Sequence, residues 1–312
     1  MSRHSRSSFE IHFDVGRGTP DSLVGSPGSD VIRGLAGDDT LDGLAGRDVL
    51  IGDAGDDLLS GGDGDDFVFG GAGNDQLFGD SNLGPVPLFG GSLQTSNLIL
   101  AGAGDDSVIA GYGTDVVFGG AGDDTILGFG TSPDFATNER LKRFDGGDLL
   151  SGDSGADSID GGGGADTILG GSGDDVLIGS YDADVLVGGA NADRFVFRLL
   201  GAGPPTTPDT GVGEGARDVI RDFQQGQDVL DLSGYRNPAG GSSSPIFLGT
   251  GEFIATFELQ VRHEILEDGR TLVQFDTTLG RPSTVEPTVP AEPMGEIVLA
   301  GSFQLSAEDF IL

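Results

Sequence analysis

Sixteen aspartates stand at intervals that suit a repeated metal-binding chemistry. Asp21, Asp30, Asp39, Asp48, Asp57, Asp66 and Asp75 follow one another every nine residues. Asp106, Asp115 and Asp124 form a second run, and Asp148, Asp157, Asp166, Asp175, Asp184 and Asp193 a third. Two positions after each comes an apolar residue, as at Leu23, Ile32, Leu41, Leu50, Leu59, Val68 and Leu77. Two positions before, the chain usually has glycine, as at Gly28, Gly37, Gly46, Gly55, Gly64 and Gly73. A disordered acidic linker has no reason to place one apolar residue in every nonapeptide. Carboxylates repeated in this way are hard oxygen ligands, a set that suits calcium. The absence of Cys and the presence of only three His argue against zinc or copper.

The elements that must position these carboxylates follow from the same spacing. Each unit reads as a six-residue turn and a three-residue strand, as in residues 61–66 and 67–69. Glycine supplies the positive-φ backbone such turns require. Where it is missing, Asp182 and Asn191 are among the replacements, and Asp and Asn tolerate the left-handed region best. Thr19, in the first unit, does not. Alternation along each strand turns the residue two after the aspartate inward. Two nonapeptides then make one coil of eighteen residues. Asp39 and Asp57, or Asp157 and Asp175, fall in adjacent coils on the same side, with turn carbonyls between them.

The pattern Gly-Gly-x-Gly-x-Asp-x-apolar-x is carried nearly in full by residues 61–69, 70–78, 119–127 and 170–178. It resembles the RTX, or hemolysin-type, nonapeptide family. The resemblance covers residues 16–197 and implies an all-β fold: a parallel β-roll, a solenoid that binds several calcium ions. It makes the sixteen aspartates the expected metal positions.

The formal net charge of −35 and the sequence pI near 4.1 give such packing a heavy self-repulsion in the absence of cations. Folding is therefore expected to be linked to calcium. Extracellular calcium modules bind at about 10⁻⁴ to 10⁻³ M, so the chain would stay soft in the cytosol and fold outside. So acidic a surface is not expected to bind nucleic acid or anionic membrane. No disulfide framework is available without Cys. Residues 1–8 are followed by no apolar stretch long enough for a signal peptide, and nothing elsewhere reads as a bilayer span.

Residues 1–15 read as a leader ending in an edge strand over 9–13. Insertions near 79–91, with Pro85 and Pro87, and near 131–143, with Arg140, Lys142 and Arg143, interrupt the roll. The interval from Asp75 to Asp106 reads as three units plus four residues, with Asn97 as a degenerate unit. That from Asp124 to Asp148 reads as two units plus six. A Gly/Pro/Thr-rich linker is expected over 198–217. Residues 218–312 read as a β-rich capping domain outside the nonapeptide phase, with a turn at Gln225–Gly226. Residues 192–197, 218–233 and 305–312 resemble the carboxy-terminal domain of serralysin-type metalloproteases. That resemblance implies that Asp309-Phe-Ile-Leu312 is a type I secretion signal for an ABC transporter, and that the protein is secreted and extracellular.

A protease of that kind needs His-Glu-x-x-His on a helix to hold zinc. Here the histidines are His4, His12 and His263, and His263-Glu264 is followed by Ile265, Leu266 and Glu267. Gly152-Asp-Ser-Gly155 falls inside a repeat turn with no activating histidine nearby in sequence. No Gly-x-Ser-x-Gly elbow or phosphate-binding loop occurs. The expected function is thus non-catalytic: a secreted calcium-binding roll with a structural, adhesive or partner-binding role. The alternative is a carboxy-terminal module of, or accessory to, a secreted hydrolase such as a serralysin-like metalloprotease. Self-association and a surface or matrix ligand are the expected kinds of partner.

Overall fold

A computed structural model describes residues 12–80, 95–129, 145–200, 207–208, 210–235, 246–251, 259–276 and 293–312. Within them the chain winds back and forth between two sheets, one of fourteen strands and one of twelve. The first sheet takes every second strand, from His12–Val15 and Asp30–Ala36 through Val49–Ala54, Phe67–Ala72 and Leu98–Ala103 to Val185–Ala190. The second takes the strands between, from Ser22–Val24 and Thr40–Asp42 through Gln76–Phe78 and Ser107–Ile109 to Arg194–Leu200. All these neighbours pair in parallel, as a solenoid requires, and Val49 lies beside Phe67 as Thr40 lies beside Leu58. The expected all-β parallel roll is the architecture found.

The apolar residue of each unit does point inward. Ile32, Leu50, Val68, Ile99, Val117, Leu150, Ile168 and Leu186 form one row, and Leu41, Leu59, Leu77, Val108, Ile126, Ile159 and Leu177 the facing row, all within 1 % of full burial. Each such side chain contributes about 1.5–3 kcal/mol, a thin return for nine ordered residues. The units are not equal, however. Strands of the second sheet are three residues long in the early coils, whereas those of the first run on through Gly-Gly-Ala, as in Phe67–Ala72. The two halves of a coil therefore differ in shape.

Strand register corrects the counting of the insertions. Phe67 pairs with Leu98, so this coil holds one standard turn of eighteen residues and thirteen more; Val116 pairs with Leu149, which leaves fifteen extra. The interval from Asp75 to Asp106 is thus two units plus thirteen, with Asn97 in its expected place. That from Asp124 to Asp148 is one unit plus fifteen. The extra residues, with Arg140, Lys142 and Arg143, lie outside the described residues, as do residues 9–11 of the expected first strand. His12–Val15 is described and pairs with Asp30–Ala36 at the sheet edge.

The stretch 198–217 is tied down where it is described. The strand Arg194–Leu200 runs into it, and Thr207–Pro208 pairs antiparallel with that strand. Thr210 is fully buried and donates to the Glu296 carbonyl at 2.6 Å, while the Gly213 N–H donates to the Glu296 carboxylate at 2.8 Å. Composition suggests flexibility here, but a buried partner far along the chain supplies the anchor. Beyond it, Asp218–Ile220 and Val229–Gly234 extend the two sheets by one more coil. Gly295–Leu299, Thr271–Asp276, Gln260–Ile265 and Phe310–Ile311 then close that end. Aromatic contacts fill the closure, including Phe223 against Phe303 (5.6 Å) and Tyr235 against Phe275 (4.6 Å). At the opposite end Phe13, Val15 and Val24 are exposed. Among the described residues no helix is long and apolar enough to cross a membrane.

Candidate metal centre

The turns depend on backbone that few side chains tolerate. A Cβ on Gly64 (φ +136°) would collide with the Gly46 carbonyl of the preceding coil. Asp182 and Asn191, the replacements noted in sequence, do adopt positive φ, at 72° and 88°. So do Leu35 and Leu44, at 88° and 73°, which no sequence signal marks.

These turns stack the aspartates in two columns. In one, the N–H of Asp39 donates to Asp57 Oδ1, that of Asp57 to Asp75, and the series continues through Asp106, Asp124, Asp157, Asp175 and Asp193 at 2.7–3.1 Å. Asp21 enters this column at its start through its N–H to Asp39. In the other, Asp30, Asp48, Asp66, Asn97, Asp115, Asp148, Asp166 and Asp184 are linked in the same way. Adjacent coils thus bring together the pairs expected from the eighteen-residue spacing. From Asp39 onward, one carboxylate oxygen of each column aspartate is spoken for by the backbone of the coil before it.

The second oxygen is different. In Asp39, Asp48, Asp57, Asp66, Asp75, Asp106, Asp115, Asp124, Asp148, Asp157, Asp166, Asp175, Asp184 and Asp193, Oδ2 is buried and accepts no hydrogen bond. An anionic oxygen in that condition is among the most expensive groups a protein can bury. It also faces other oxygens. A Cβ built on Gly43 would lie 2.6 Å from Asp48 Oδ2 and 2.5 Å from the Gly61 carbonyl, so glycine keeps a small oxygen-lined cradle open there. Among the described residues no three His, Asp or Glu side chains converge on one point. The oxygens available at each turn are therefore one or two carboxylates and backbone carbonyls, a hard set that fits calcium and not a thiolate or imidazole metal.

At the ends of the columns the protein supplies its own donors. Asp21 Oδ2 accepts from the Arg17 N–H and Asp30 Oδ2 from the Ser26 N–H, each at 2.6 Å. Position 97 interrupts the row of anions in mid-column. There Asn97 donates its amide nitrogen to the Ala110 carbonyl at 3.2 Å, so a donor stands where the other units present a carboxylate oxygen.

Electrostatics reflect the missing donors. Burial, followed by the charges of neighbouring aspartates, raises the carboxyls of Asp57 and Asp75 to about 6 and those of Asp106 and Asp157 to about 7. Burial next to Asp115 pushes Asp148 to about 10, and burial next to Asp218 does the same for Asp184.

Two column members escape the sequence reading. Asp218 accepts from the Asp184 N–H at 2.9 Å and Asp228 from the Asp193 N–H at 3.1 Å, so both columns continue one coil past residue 197. Asp218-Val-Ile220 and Asp228-Val-Leu230 keep the Asp-x-apolar signature, but spacings of 34 and 35 residues hide the phase. Asp228 Oδ2 accepts from the Gln224 N–H, which ends its column on a donor from the protein itself. His263 lies on a strand, buried and stacked on Phe247, away from both columns. Ser154 of the Gly-Asp-Ser-Gly turn donates to the Gly120 carbonyl.

A family model described as the RTX calcium-binding nonapeptide repeat matches residues 15–50, 51–82, 94–126, 144–177 and 169–197. No curated protein matches the chain. Among solved structures, the AlgE6R2 subunit of the mannuronan C5-epimerase from Azotobacter vinelandii is similar at 27 % identity over 54 % of this chain and 88 % of that one, with a TM-score of 0.35. The extracellular lipase LipA from Serratia marcescens is 14 % identical over 100 % of this chain and 40 % of its own, with a TM-score of 0.19. At those TM-scores neither likeness bears on fold or function.

Proposed function

Since this chain belongs, through its repeat region, to the RTX calcium-binding nonapeptide-repeat family, we propose that its aspartate columns are the calcium sites and that calcium binding is what folds it. The observation that carries this reading is the row of buried Oδ2 atoms with no donor facing them. Asp39, Asp57, Asp75, Asp106, Asp124, Asp157, Asp175 and Asp193 would serve one column, and Asp48, Asp66, Asp115, Asp148, Asp166 and Asp184 the other. Asp21 and Asp30, already met by backbone donors, would be the outermost members. Calcium would bring positive charge to oxygens that are otherwise buried as unpaired anions.

In this reading the protein is a non-catalytic, secreted scaffold that folds on reaching extracellular calcium. Asp309–Leu312 would be read by a type I ABC exporter before folding. In the folded chain Asp309 is buried and takes hydrogen bonds from the Ser306 N–H and Gln225, and Phe310 pairs with Leu230. Ile311 stays exposed there, but a receptor that reads Asp309 and Phe310 would have to do so before folding.

Far-UV circular dichroism during a calcium titration of EDTA-treated protein tests the folding claim, with magnesium as control. A cooperative, calcium-specific gain of β signal is expected; a β-rich spectrum indifferent to EDTA would sink it. Deleting residues 309–312 is expected to hold the protein inside a cell that carries a type I exporter, and unchanged export would remove that part.

A further inference from the structure

The outer face of the fourteen-stranded sheet, from Val49–Ala54 to Val185–Ala190, carries few charges where the rest of the protein is crowded with them. These are Asp53, paired with Arg33, and Asp153, and the Arg47 guanidinium lies over the Phe67 ring. Strand register lines up two straight columns of outward residues. One runs Val49, Phe67, Leu98, Val116, Leu149, Thr167 and Val185, and the other Ile51, Phe69, Leu100, Phe118, Ser151, Leu169 and Val187. Twelve of these fourteen positions are apolar and none is charged, in a chain with 51 acidic residues. All but Ser151 remain partly exposed. The second halves of the same strands add only glycine, alanine and serine apart from Asp53 and Asp153. The opposite sheet does not share this character, since its outward positions include Thr40, Gln76, Ser107, Thr125 and Ser158, all exposed.

We propose that this face pairs with the same face of a second copy of the chain, giving a two-fold, face-to-face dimer. Two arguments select that occupant. Seven strands at about 4.8 Å spacing and six residues at about 3.3 Å make a face of roughly 700 Å², close to the ~800 Å² per partner of a standard stable interface. The second is electrostatic. Two molecules of formal charge −35 repel wherever their acidic surfaces meet, and a face whose carboxylates are Asp53, paired with Arg33, and Asp153 is where they can touch with least repulsion. The contact is isologous, so the central strand of the seven, Val116–Ala121, meets its own copy near the two-fold. Phe118 is the outward anchor on that strand. The inference rests on the calcium-held roll proposed above, since the two columns exist only when the coils are stacked.

Sedimentation of the full chain in calcium, over about 1–100 μM, tests it. The expected mass is twice the 31.7 kDa of the chain. Phe118→Asp is expected to sediment as a monomer with an unchanged calcium-induced dichroism, whereas Thr125→Asp, on the other sheet, remains dimeric. The chain has no cysteine, so Phe118→Cys carries a single thiol, and a short bis-maleimide should join two such chains while Ser107→Cys stays unjoined. A monomeric parent protein, a Phe118→Asp variant that still dimerises, or equal cross-linking at positions 107 and 118 would each overturn the proposal. If Phe118→Asp fails to fold, the cross-linking comparison decides. A dimer that forms through this face although calcium leaves the dichroism unchanged would refute the folding reading alone.

Discussion

An aspartate oxygen shut away from water with no donor in front of it is the costliest atom in these coils, and fourteen repeat aspartates carry one. Changing Asp57 to Asn keeps an acceptor for the Asp39 N–H and removes the charge. The calcium midpoint of folding is expected to rise about tenfold, which corresponds to about 1.4 kcal/mol. The same change at Asp268, in an exposed turn, should leave the midpoint where it was; a titration of both variants settles the comparison. Leu44 has the opposite problem. Its side chain is exposed, yet its backbone sits at φ 73°, where a branched residue is strained. Leu44→Gly is expected to stabilise the calcium-loaded protein by about 1 kcal/mol, seen as a higher urea midpoint. Neither leucine at positive φ was visible in the sequence, because nothing in the identity of Leu35 or Leu44 marks a left-handed turn. Asp182 and Asn191 were visible, because their types match the conformation they adopt.

The columns titrate as elements. Burial raises Asp57 and Asp75 to about 6 and Asp106 and Asp157 to about 7, from an unfolded value of 3.8. The folded, metal-free columns therefore hold protons that the unfolded chain has released. Their contribution to stability is fully present below about pH 4 and is lost as the pH rises through 6 to 7. In EDTA, β signal should increase as the pH falls from 8 to 5, the reverse of ordinary acid denaturation. In calcium the protonated columns need less help from the ion, so the calcium midpoint of folding should fall over that interval. Dichroism against pH in both conditions reads the two trends. The closed end is held by a different device. Arg217 reaches Glu296 at 3.2 Å with both side chains largely buried, and Gln274 and the Gly213 N–H also bind that carboxylate. Glu296→Ala leaves a buried guanidinium unpaired and is expected to cost about 3 kcal/mol, measurable by urea denaturation in calcium.

Across the whole molecule, what could be read in advance was what repeats. A nine-residue period fixed the inward residues, the two-sided coil and the pairing of aspartates two units apart, because stacking converts sequence phase directly into position. Where stacking survives but the phase is broken, the reading fails: Asp218 and Asp228 sit in the columns behind gaps of 34 and 35 residues. Thr210 looked like linker because the Glu296 that anchors it is 86 residues away. The coil lengths carry a mechanical consequence. Among the described residues the strands of the roll pair with those of neighbouring coils, so a molecule pulled along the stack from its open end should yield one coil at a time, like thread drawn from a spool. Each standard coil of 18 residues frees about 60 Å of chain. The coils of 31 and 33 residues free roughly 105 and 110 Å, so up to the strand Val185–Ala190 a force trace should show even steps interrupted by two long ones.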